Sequence, residues 1–508
     1  MISSWWCNYM ETIKTFIEGL SWPWRPQSNR EAGDAVVKSF LLHWFPHRVS
    51  LKSLSWGYSF WLGTISFVLF LILCLTGIIL MFFYVPSVER AYWSIKDIEF
   101  VISFGAFLRS LHRISAHLMV AAVFLHMLRV FYVNGYQKGA YAGSGRPFNW
   151  VLGVFLWVTT LLLSFTGYLL PWDQLAFWAI TVGTSIASAV PWVGESVRQF
   201  ILGGTIIGQN TLIRFYVLHV FFLPALAMIA IIWHMWRIRK DGGLAAIEQV
   251  NKEAKTVETT EIDKTKSKSY ALMGIAKGTS VHVIDREPLN SENSVCSSPH
   301  MVRRIIVVCI LTFAVSAILS LLTQAPLEEM ANPSVTPNPA KAPWYFLGLQ
   351  ELVGYSAFIG GVLVPGLTIL GLMLIPWIDR ENKNVGCWPS ESEHKKWLLM
   401  GGVVGLVLTC LSVFVGVNFP SREILGDIFQ HQFWFDLLNP ATALQAALIA
   451  WFFIVRKVTG STRTASISLF TAFVVALVIL SIVGTWLRGP NWDFFWPWET
   501  IPVKPVIY

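Results

Sequence analysis

Four histidines lie in two pairs on two strongly apolar stretches of the sequence. His112 and His126 are 14 residues apart, and His219 and His234 are 15 apart. On an α-helix these separations span roughly 21 to 23 Å and return to within roughly 40 to 60° of the starting direction. Both members of each pair can therefore face the core of one helical bundle, and neutral imidazole is a frequent metal ligand. Two facing helices of this kind predict two bis-imidazole metal sites at two depths.

Glycines repeat nearly the same spacing on two further apolar stretches. Gly63 and Gly77 are 14 residues apart, as are Gly153 and Gly167. In a membrane bundle a helix glycine admits the close approach of another surface, so these positions are candidate walls for a flat macrocycle. A single histidine or glycine of this kind can equally be a hydrogen-bonded core residue or a packing notch. The repetition over four helices favours a bound cofactor.

The ligand type indicates which cofactor to expect. Two imidazoles occupy both axial positions of a haem iron and suit electron transfer rather than oxygen activation, so we predict two low-spin, non-covalent b-type haems. Haem propionates need cations, and the candidates are Arg109, Arg113 and, less strongly, Arg214. Ordinary anchoring at the membrane interface is the alternative role for these arginines. The six cysteines form no CxxC or CxxCH motif, so no zinc site, disulfide framework or c-type attachment site is expected.

Two residues of these helices depart from the pattern. His117 lies five residues, roughly 140°, around a helix from His112 and cannot point into the same site. We predict that it makes a polar contact with a neighbouring helix or subunit. Pro224, between His219 and His234, removes a backbone donor and should bend or loosen its helix. The extra residue in the 15-residue separation is expected to compensate for this disturbance.

The composition places these helices in a membrane. Of the 508 residues, 54% are hydrophobic and 13% are charged, which predicts an all-α, polytopic membrane protein. A helix needs about 20 apolar residues to cross roughly 30 Å of hydrocarbon, and we predict nine such crossings. One is the helix that carries His112 and His126. The other eight are the charge-free stretches 53–88, 147–172, 215–236, 305–327, 352–378, 397–421, 437–455 and 464–487.

The distribution of charge predicts the orientation. Between the predicted crossings, Lys and Arg are more frequent in the segments on the same side of the membrane as the N-terminal region, and this bias predicts a cytoplasmic N-terminus on the negative side of the membrane. The net charge of +8 then reflects loop asymmetry and contact with membrane lipids rather than binding of nucleic acid. The opening MISSWWCNYMETIK lacks the pattern of a cleaved signal peptide.

The apolar pattern stops between Arg237 and Arg304. This part of the chain is charged, rich in Ser and Thr and poor in large apolar residues, as in a connector without a core of its own. The predicted units are an N-terminal interfacial segment (1–55), a four-helix di-haem bundle (56–240), a cytoplasmic linker (241–302), three helices with the loop that joins them (303–420), and two additional helices with a positive-side tail (421–508).

Several of these stretches resemble the cytochrome b subunit of Rieske-type cytochrome bc complexes. The resemblance is dense from about His43 to Gly243 and is nearest to the chloroplast-type branch, in which the corresponding histidines are also 15 residues apart. It continues more loosely into a stretch similar to the quinol-site loop and the helix after it. The stretches are LRSLHRISAH, FTGYLLPWDQLAFWA, GQNTLIRFYVLHVFFLP, WHMWRIRKDGG and, for the loop, TPNPAKAPWYFLGLQELVGYSAFIGG.

The resemblance implies ligand pairs, a reaction and partners. It implies that His112 and His219 hold the low-potential haem near the positive side, and that His126 and His234 hold the high-potential haem near the negative side. It further implies a quinol oxidoreductase that passes one electron to a Rieske iron–sulfur protein and one through the haems to a second quinone site. A c-type cytochrome subunit, quinone and a second copy of the complex, forming a homodimer, are the other implied partners.

Two departures from the family pattern bear on function. A cysteine that tethers an extra haem in chloroplast-type proteins is replaced by Trp61, so no covalently attached haem is expected. The family's Pro-Glu-Trp-Tyr motif reads Ala-Pro-Trp-Tyr here, ending at Tyr345, and its glutamate is missing. We predict that Glu351, placed at the head of the next crossing, replaces it as proton acceptor while Tyr345 orients the quinol. The alternative for Glu351 is a helix-capping role.

Two other functions remain compatible with the residues alone. The first is a di-haem membrane anchor that passes electrons between quinone and a dehydrogenase or reductase other than a Rieske protein. The second is a transporter in which the histidines relay protons or bind substrate, and this function predicts no stoichiometric haem. No role for the last two helices follows from the sequence.

Overall fold

Nine helices are long and apolar enough to cross a membrane in the part of the chain that the structure describes. The computed structural model describes residues 26–39, 42–138, 145–241, 243–244, 293–381, 385–389, 394–419 and 432–499. The predictions for Cys7, for most of the linker 241–302 and for the end of the tail lie outside these residues. Within them the all-α prediction is confirmed.

The membrane helices are numbered in chain order. They are α1 (Leu62–Met81), α2 (Gly105–Tyr132), α3 (Arg146–Tyr168), α4 (Gln209–Asp241), α5 (Ser297–Leu322), α6 (Ile359–Ile378), α7 (Lys395–Asn418), α8 (Pro440–Thr459) and α9 (Thr462–Leu487). Many of their side chains are exposed and apolar, for example Leu75 at 65% and Phe221 at 70%. Side chains of this kind on the outer surface of a bundle require lipid rather than water as solvent.

Shorter elements lie between the membrane helices. They are the helices Asn29–Lys38, Trp56–Ser59, Ala91–Phe100, Gln174–Ser188, Gly194–Leu202, Trp344–Tyr355 and Gln432–Leu437, and the 3-10 turns Leu42–Trp44, Lys52–Leu54 and Pro490–Trp492. Strands β1 (Arg48–Ser50) and β2 (Ser294–Cys296) pair antiparallel, with Val49 opposite Val295. This pairing joins the segment before α1 to the segment before α5, so both helices start at the same end of the bundle.

The bundle has two ends that are named here by their histidines. The His112 end contains His112 and His219, and the His126 end contains His126 and His234. Helices α1, α3, α5, α7 and α9 run toward the His112 end, and α2, α4, α6 and α8 run toward the His126 end. The topology predicted from charge would place the His112 end on the positive side of the membrane.

A π-helical turn explains the 15-residue separation in α4. Residues Leu218–Phe222 form this turn, and α-helix resumes at Leu223, just before Pro224. A π-turn contains one more residue than an α-turn, and Pro224 cannot donate to the carbonyl four residues earlier. The turn therefore absorbs the extra residue, as the position of Pro224 predicts. A second π-turn, Ile359–Leu363, precedes Pro365 in α6 in the same way.

One predicted helix boundary is wrong. The sequence predicts a single crossing over 352–378, with Glu351 at its head. In the structure Ser356 has extended backbone angles and separates Trp344–Tyr355, named here the Tyr345 helix, from α6. Glu351 is the eighth residue of the Tyr345 helix. The uncharged run extends across this break because both helices are apolar, so composition alone does not reveal it.

The two additional helices pack against the C-terminal half. Helix α9 lies against α7, α8 and the Tyr345 helix. At the His126 end a buried ion pair joins Arg463 of α9 to Asp379 after α6, with 2.9 Å between Arg463 Nε and Asp379 Oδ2. Tyr136, after α2, also donates to Asp379 Oδ2 at 2.9 Å. Helix α9 is thus tied to the part of the chain that follows the histidine helix α2.

Candidate functional site

The structure brings His112 of α2 and His219 of α4 face to edge. Their ring centroids are 6.2 Å apart and the rings are inclined at 74°. A metal–imidazole bond is about 2 Å long and the ring centre lies roughly 1 Å behind the coordinating nitrogen, so two imidazoles on opposite sides of one metal ion have centroids about 6 Å apart. The observed separation matches this value. The pair therefore fits a bis-imidazole haem iron.

Hydrogen bonds orient both rings for that role. His219 Nδ1 lies 2.9 Å from the carbonyl oxygen of Leu163, which can only accept. His112 Nδ1 lies 2.8 Å from Thr76 Oγ1, and this hydroxyl donates its own hydrogen to the carbonyl of Ile72. In both rings Nδ1 therefore carries the hydrogen and Nε2 keeps its lone pair. Partners of this kind hold the ring and its tautomer in metal sites.

The second pair lies at the other end of the same two helices. The imidazoles of His126 and His234 are close enough to interact electrostatically, and the backbone of Asn149 lies beside His234. Asn149 is four residues before Gly153, just as Leu163 is four residues before Gly167. The spacing of backbone, glycine and histidine along α3 and α4 therefore repeats at the two levels, but the hydrogen bond does not, because His234 Nδ1 has no hydrogen-bond partner among the described residues.

Each of the four glycines faces one of the four histidines. A Cβ built on Gly77 would lie 3.3 Å from His112, and one on Gly63 would lie 3.2 Å from His126. On α3 the corresponding distances are 2.4 Å from Gly167 to His219 and 3.6 Å from Gly153 to His234. The described contacts thus explain why glycine stands at these four positions: the imidazoles occupy the space that a side chain would need. Their role as walls for a macrocycle stays a prediction.

Gly167→Ala is expected to impair haem binding at the His112 end much more than Gly153→Ala does at the His126 end. A methyl group on Gly167 overlaps His219, which the Leu163 carbonyl also holds, whereas a methyl group on Gly153 makes only ordinary van der Waals contact. The haem content of the two purified variants measures the difference. Equal losses would mean that the macrocycle, rather than the imidazole, requires glycine at these positions.

The three arginines predicted to bind propionates have different surroundings. Arg109 is buried, forms an ion pair with Glu99 at 2.8 Å and donates to the carbonyls of Ala325 and Pro326. Arg214 is exposed and donates to the Phe200 carbonyl, on the outer side of α4. These surroundings favour the anchoring alternative for both, because Arg109 already has a buried counter-ion and Arg214 is exposed. The propionate role is then best supported for Arg113.

Arg113 and the Tyr345 helix meet at the His112 end. The Arg113 guanidinium lies 5.8 Å from the ring centre of Tyr168 and interacts electrostatically with His117 and Tyr345. This cation therefore lies close to Tyr345 and follows the candidate ligand His112 in the chain.

Arg129 is a candidate cation that the sequence analysis missed. It is buried three residues after His126, and its Nε donates to the Tyr58 carbonyl at 3.3 Å. Its Nη2 is buried and has no hydrogen-bond partner among the described residues. A buried, unpaired guanidinium nitrogen is costly, and a haem propionate would satisfy it. The signal in the sequence was its spacing of three residues from His126, the same as that between Arg109 and His112.

Tyr345 lies at the first turn of the Tyr345 helix and contacts the histidine bundle. Its hydroxyl is hydrogen bonded to Ser164 of α3, and its ring centroid is 5.8 Å from that of His117 on α2. Trp344 Nε1 donates to His117 Nδ1 at 3.1 Å, which confirms the predicted polar contact of His117 with a neighbouring element. Burial raises the pKa of the Tyr345 phenol, so this hydroxyl stays protonated at neutral pH and is able to donate to a ligand.

Glu351 has partners that the sequence did not predict. The residue is 1% exposed, and its carboxylate forms a two-point ion pair with Arg488 after α9 and accepts hydrogen bonds from Trp492 Nε1 and the Tyr355 hydroxyl, both at 3.1 Å. A helix-capping role is excluded by its position inside the Tyr345 helix. The role of proton acceptor stays a prediction, and these four hydrogen bonds favour a structural role.

Two models of one family match the chain. The model described as cytochrome b/b6/petB matches residues 48–242, and the model described as cytochrome b (C-terminal)/b6/petD matches residues 330–430. Both candidate haem levels lie in the first range, and Tyr345 and Glu351 lie in the second. Residues 431–508, with α8 and α9, lie outside both ranges.

Known proteins agree with this assignment. Cytochrome b6 of Heliomicrobium gestii is 43% identical over 183 residues, which are 36% of this chain and 83% of that protein. Cytochrome b6 of Porphyra purpurea is 39% identical over 215 residues, which are 40% of this chain and 97% of that protein. A solved structure titled hyperthermophilic respiratory Complex III matches with a TM-score of 0.54 and 22% identity. The match covers 84% of this chain and 91% of the chain in that structure, and it shows a similar fold. The chain belongs to the cytochrome b/b6 family.

Proposed function

We propose that this chain is the di-haem cytochrome b subunit of a complex that oxidises quinol and carries electrons across the membrane between two quinone sites. Membership of the cytochrome b/b6 family supports the general assignment, a cytochrome b of a bc-type electron-transfer complex. The observation that carries the proposal is the pairing of His112 with His219, at a separation that fits two axial ligands of one metal ion.

In this proposal His112 and His219 hold one b-type haem, and His126 and His234 hold the other. When bound at these imidazoles, such a group would supply one-electron transfer. The protein's part is to hold the rings. Leu163 and Thr76 fix the tautomers at the His112 end, and the four facing glycines leave room for the imidazoles. Arg113 and Arg129 would neutralise propionates at the two ends.

The proposed quinol site lies at the His112 end, around Tyr345. The phenol of Tyr345 is a protonated donor that can orient a quinol oxygen, and its contact with Ser164 shows that it already faces α3. His117 and Arg113 supply an imidazole and a cation on the adjoining face of α2. The predicted topology places this end on the positive side, where the protons of the quinol would be released, and leaves the N-terminus on the negative side of an energy-transducing membrane.

The proposed partners are a Rieske iron–sulfur protein and a c-type cytochrome subunit. The complete complex would be a quinol:cytochrome c oxidoreductase or a similar enzyme, and two copies of it would form a homodimer. The second candidate keeps both haems but replaces the Rieske protein by another dehydrogenase or reductase. It is favoured by the missing motif glutamate, because the quinol loop departs from the family at the residue before Trp344. The histidine-relay transporter has no support from the family assignment.

Purification of the complex under mild conditions tests the proposal. We expect a reduced-minus-oxidised spectrum of two b-type haems per chain, reduction of both haems by quinol, and a Rieske protein among the partners. Haem staining after denaturing electrophoresis should show no band at 57.3 kDa, because Trp61 offers no thiol for attachment. Haem without a Rieske partner would support the second candidate, and a preparation without stoichiometric haem would exclude both.

A further inference from the structure

The segment after α9 folds back on itself beside the Tyr345 helix. Arg488 pairs with Phe494 in an antiparallel bridge, and Gly489 N donates to the Asp493 carbonyl at 2.9 Å. The tight turn between them contains Asn491, whose φ of 57° is left-handed, a conformation that Asn tolerates better than most residues. The last turn of α9 and this small hairpin, residues 485–494, are named here the C-terminal clamp and lie outside the family-matched ranges.

The clamp contacts the Tyr345 helix through buried charge. Arg488 Nε donates to Glu351 Oε2 at 2.9 Å, a second guanidinium nitrogen donates to Glu351 Oε1, and Arg488 Nη1 donates to the Trp492 carbonyl at 2.9 Å. Trp492 Nε1 completes the set with its bond to Glu351. A bidentate guanidinium–carboxylate pair restricts orientation as well as distance. The hairpin and the helix are therefore held in one relative position.

The clamp also holds the loop that leads into the helix. Asn338 and Asn491 are joined by two hydrogen bonds, one from Asn338 Nδ2 at 2.6 Å and one from the Asn491 backbone to Asn338 Oδ1. Lys341 Nζ donates to the Thr485 carbonyl at 2.8 Å. Gln350 then ties the same loop to the helix through the backbone of Ala340 and Ala342. On this side all of the contacts are made by residues of the stretch 338–351, which contains Tyr345.

The Tyr345 helix is consequently in contact with other parts of the protein on two of its faces. Glu351 follows Tyr345 by six residues, which is roughly 120° around a helix. Tyr345 contacts α2 and α3 of the histidine bundle, whereas Glu351 contacts the clamp. A short, rigid helix moves as one body, so a shift on the Glu351 face displaces the Tyr345 hydroxyl as well.

We infer that the C-terminal clamp sets the position of Tyr345 for quinol binding, and that Arg488 is the positioning residue. This inference rests on the proposed function, because it assigns Tyr345 to the quinol site. It gives the end of α9 and the tail a role in substrate binding, which neither family model covers. Arg488 acts through Glu351 and need not touch the quinol.

The test compares variants of the whole haem-loaded complex. The variants are Arg488→Gln, which removes the charge, and Asn338→Ala, which removes two hydrogen bonds without leaving a buried charge. Arg463→Gln is the matched control, because the Arg463–Asp379 pair is also a buried ion pair of α9 but lies at the His126 end. Haem reduction is followed with decyl-ubiquinol, or with a short-chain menaquinol if the wild type uses only that.

We expect Arg488→Gln to raise the quinol KM about tenfold and Asn338→Ala to raise it by roughly threefold, since displacement of an orienting group weakens productive binding. In both clamp variants the haem content and the maximum rate at saturating quinol should stay near wild type. In Arg463→Gln the quinol KM should stay near wild type as well. If Arg488→Gln does not retain haem, Asn338→Ala alone decides.

A wild-type KM in the clamp variants that retain haem would overturn the inference. An equal rise in Arg463→Gln would also overturn it, because the effect would then be general loosening. Failure of the proposed function gives a different result, namely a wild-type complex whose haems are reduced by dithionite but not by quinol.

Discussion

Alanine at His112 or at His219 should remove one and the same haem, and alanine at His126 or at His234 should remove the other. Each proposed haem would be held by two imidazoles from different helices, so loss of either imidazole would leave an incomplete site. The expected result is one remaining b-type haem per chain in each of the four variants, with identical spectra within a pair. Reduced-minus-oxidised spectra and haem quantification measure it.

His117→Ala is the matched control for these variants. It removes an imidazole from the same helix, but this imidazole accepts a hydrogen bond from Trp344 and lies beside Tyr345. Both haems should therefore remain. Loss of a haem in His117→Ala together with its retention in His112→Ala would show that the assignment of α2 is wrong.

Glu351→Gln should impair quinol oxidation by loosening the Tyr345 helix. The substitution leaves Arg488 as a buried cation without its counter-ion, and breaking a buried pair in this way costs about 3 to 5 kcal/mol. We expect a higher quinol KM, as in Arg488→Gln, with the pH dependence of the rate unchanged. The measurement is quinol-driven haem reduction as a function of quinol concentration and pH, in preparations with intact haem spectra.

The other interpretation of Glu351 predicts a different result. If the carboxylate accepts a proton from the quinol in place of the missing motif glutamate, Glu351→Gln lowers the maximum rate and alters its pH profile, while Arg488→Gln does not reproduce that profile. Wild-type kinetics in Glu351→Gln would exclude both roles, and His117 would then be the next group to examine as proton acceptor.

Much of the architecture could be predicted from residue spacing. The crossings follow from charge-free runs, and the levels of histidine and glycine follow from separations of 14 and 15 residues along single helices. The structure has nine such helices in its described part and places His112 with His219. The position of Pro224 also predicted a disturbance of α4, which the structure realises as a π-turn.

Other features depend on segments far apart in the sequence. Glu351 is 137 residues from Arg488, and Trp344 is 227 residues from His117. From the sequence alone, Glu351 therefore falls at a helix head, Arg109 and Arg214 are candidate cations for propionates, and the tail has no predicted role. Only the packing of the C-terminal half against the bundle reveals the partners of these groups.

The physical reason is the difference between periodicity and pairing. A helix repeats its direction every 3.6 residues, so which residues of one crossing share a face is a local property, determined by the sequence itself. The partner of a buried charge is whatever opposite charge the folded chain brings within a few ångström, because desolvation forbids leaving the charge unpaired. From the sequence alone, several cations and carboxylates of this chain could form such a pair. Only the tertiary structure decided that Glu351 meets Arg488, and with it that the C-terminal clamp lies against the helix of Tyr345.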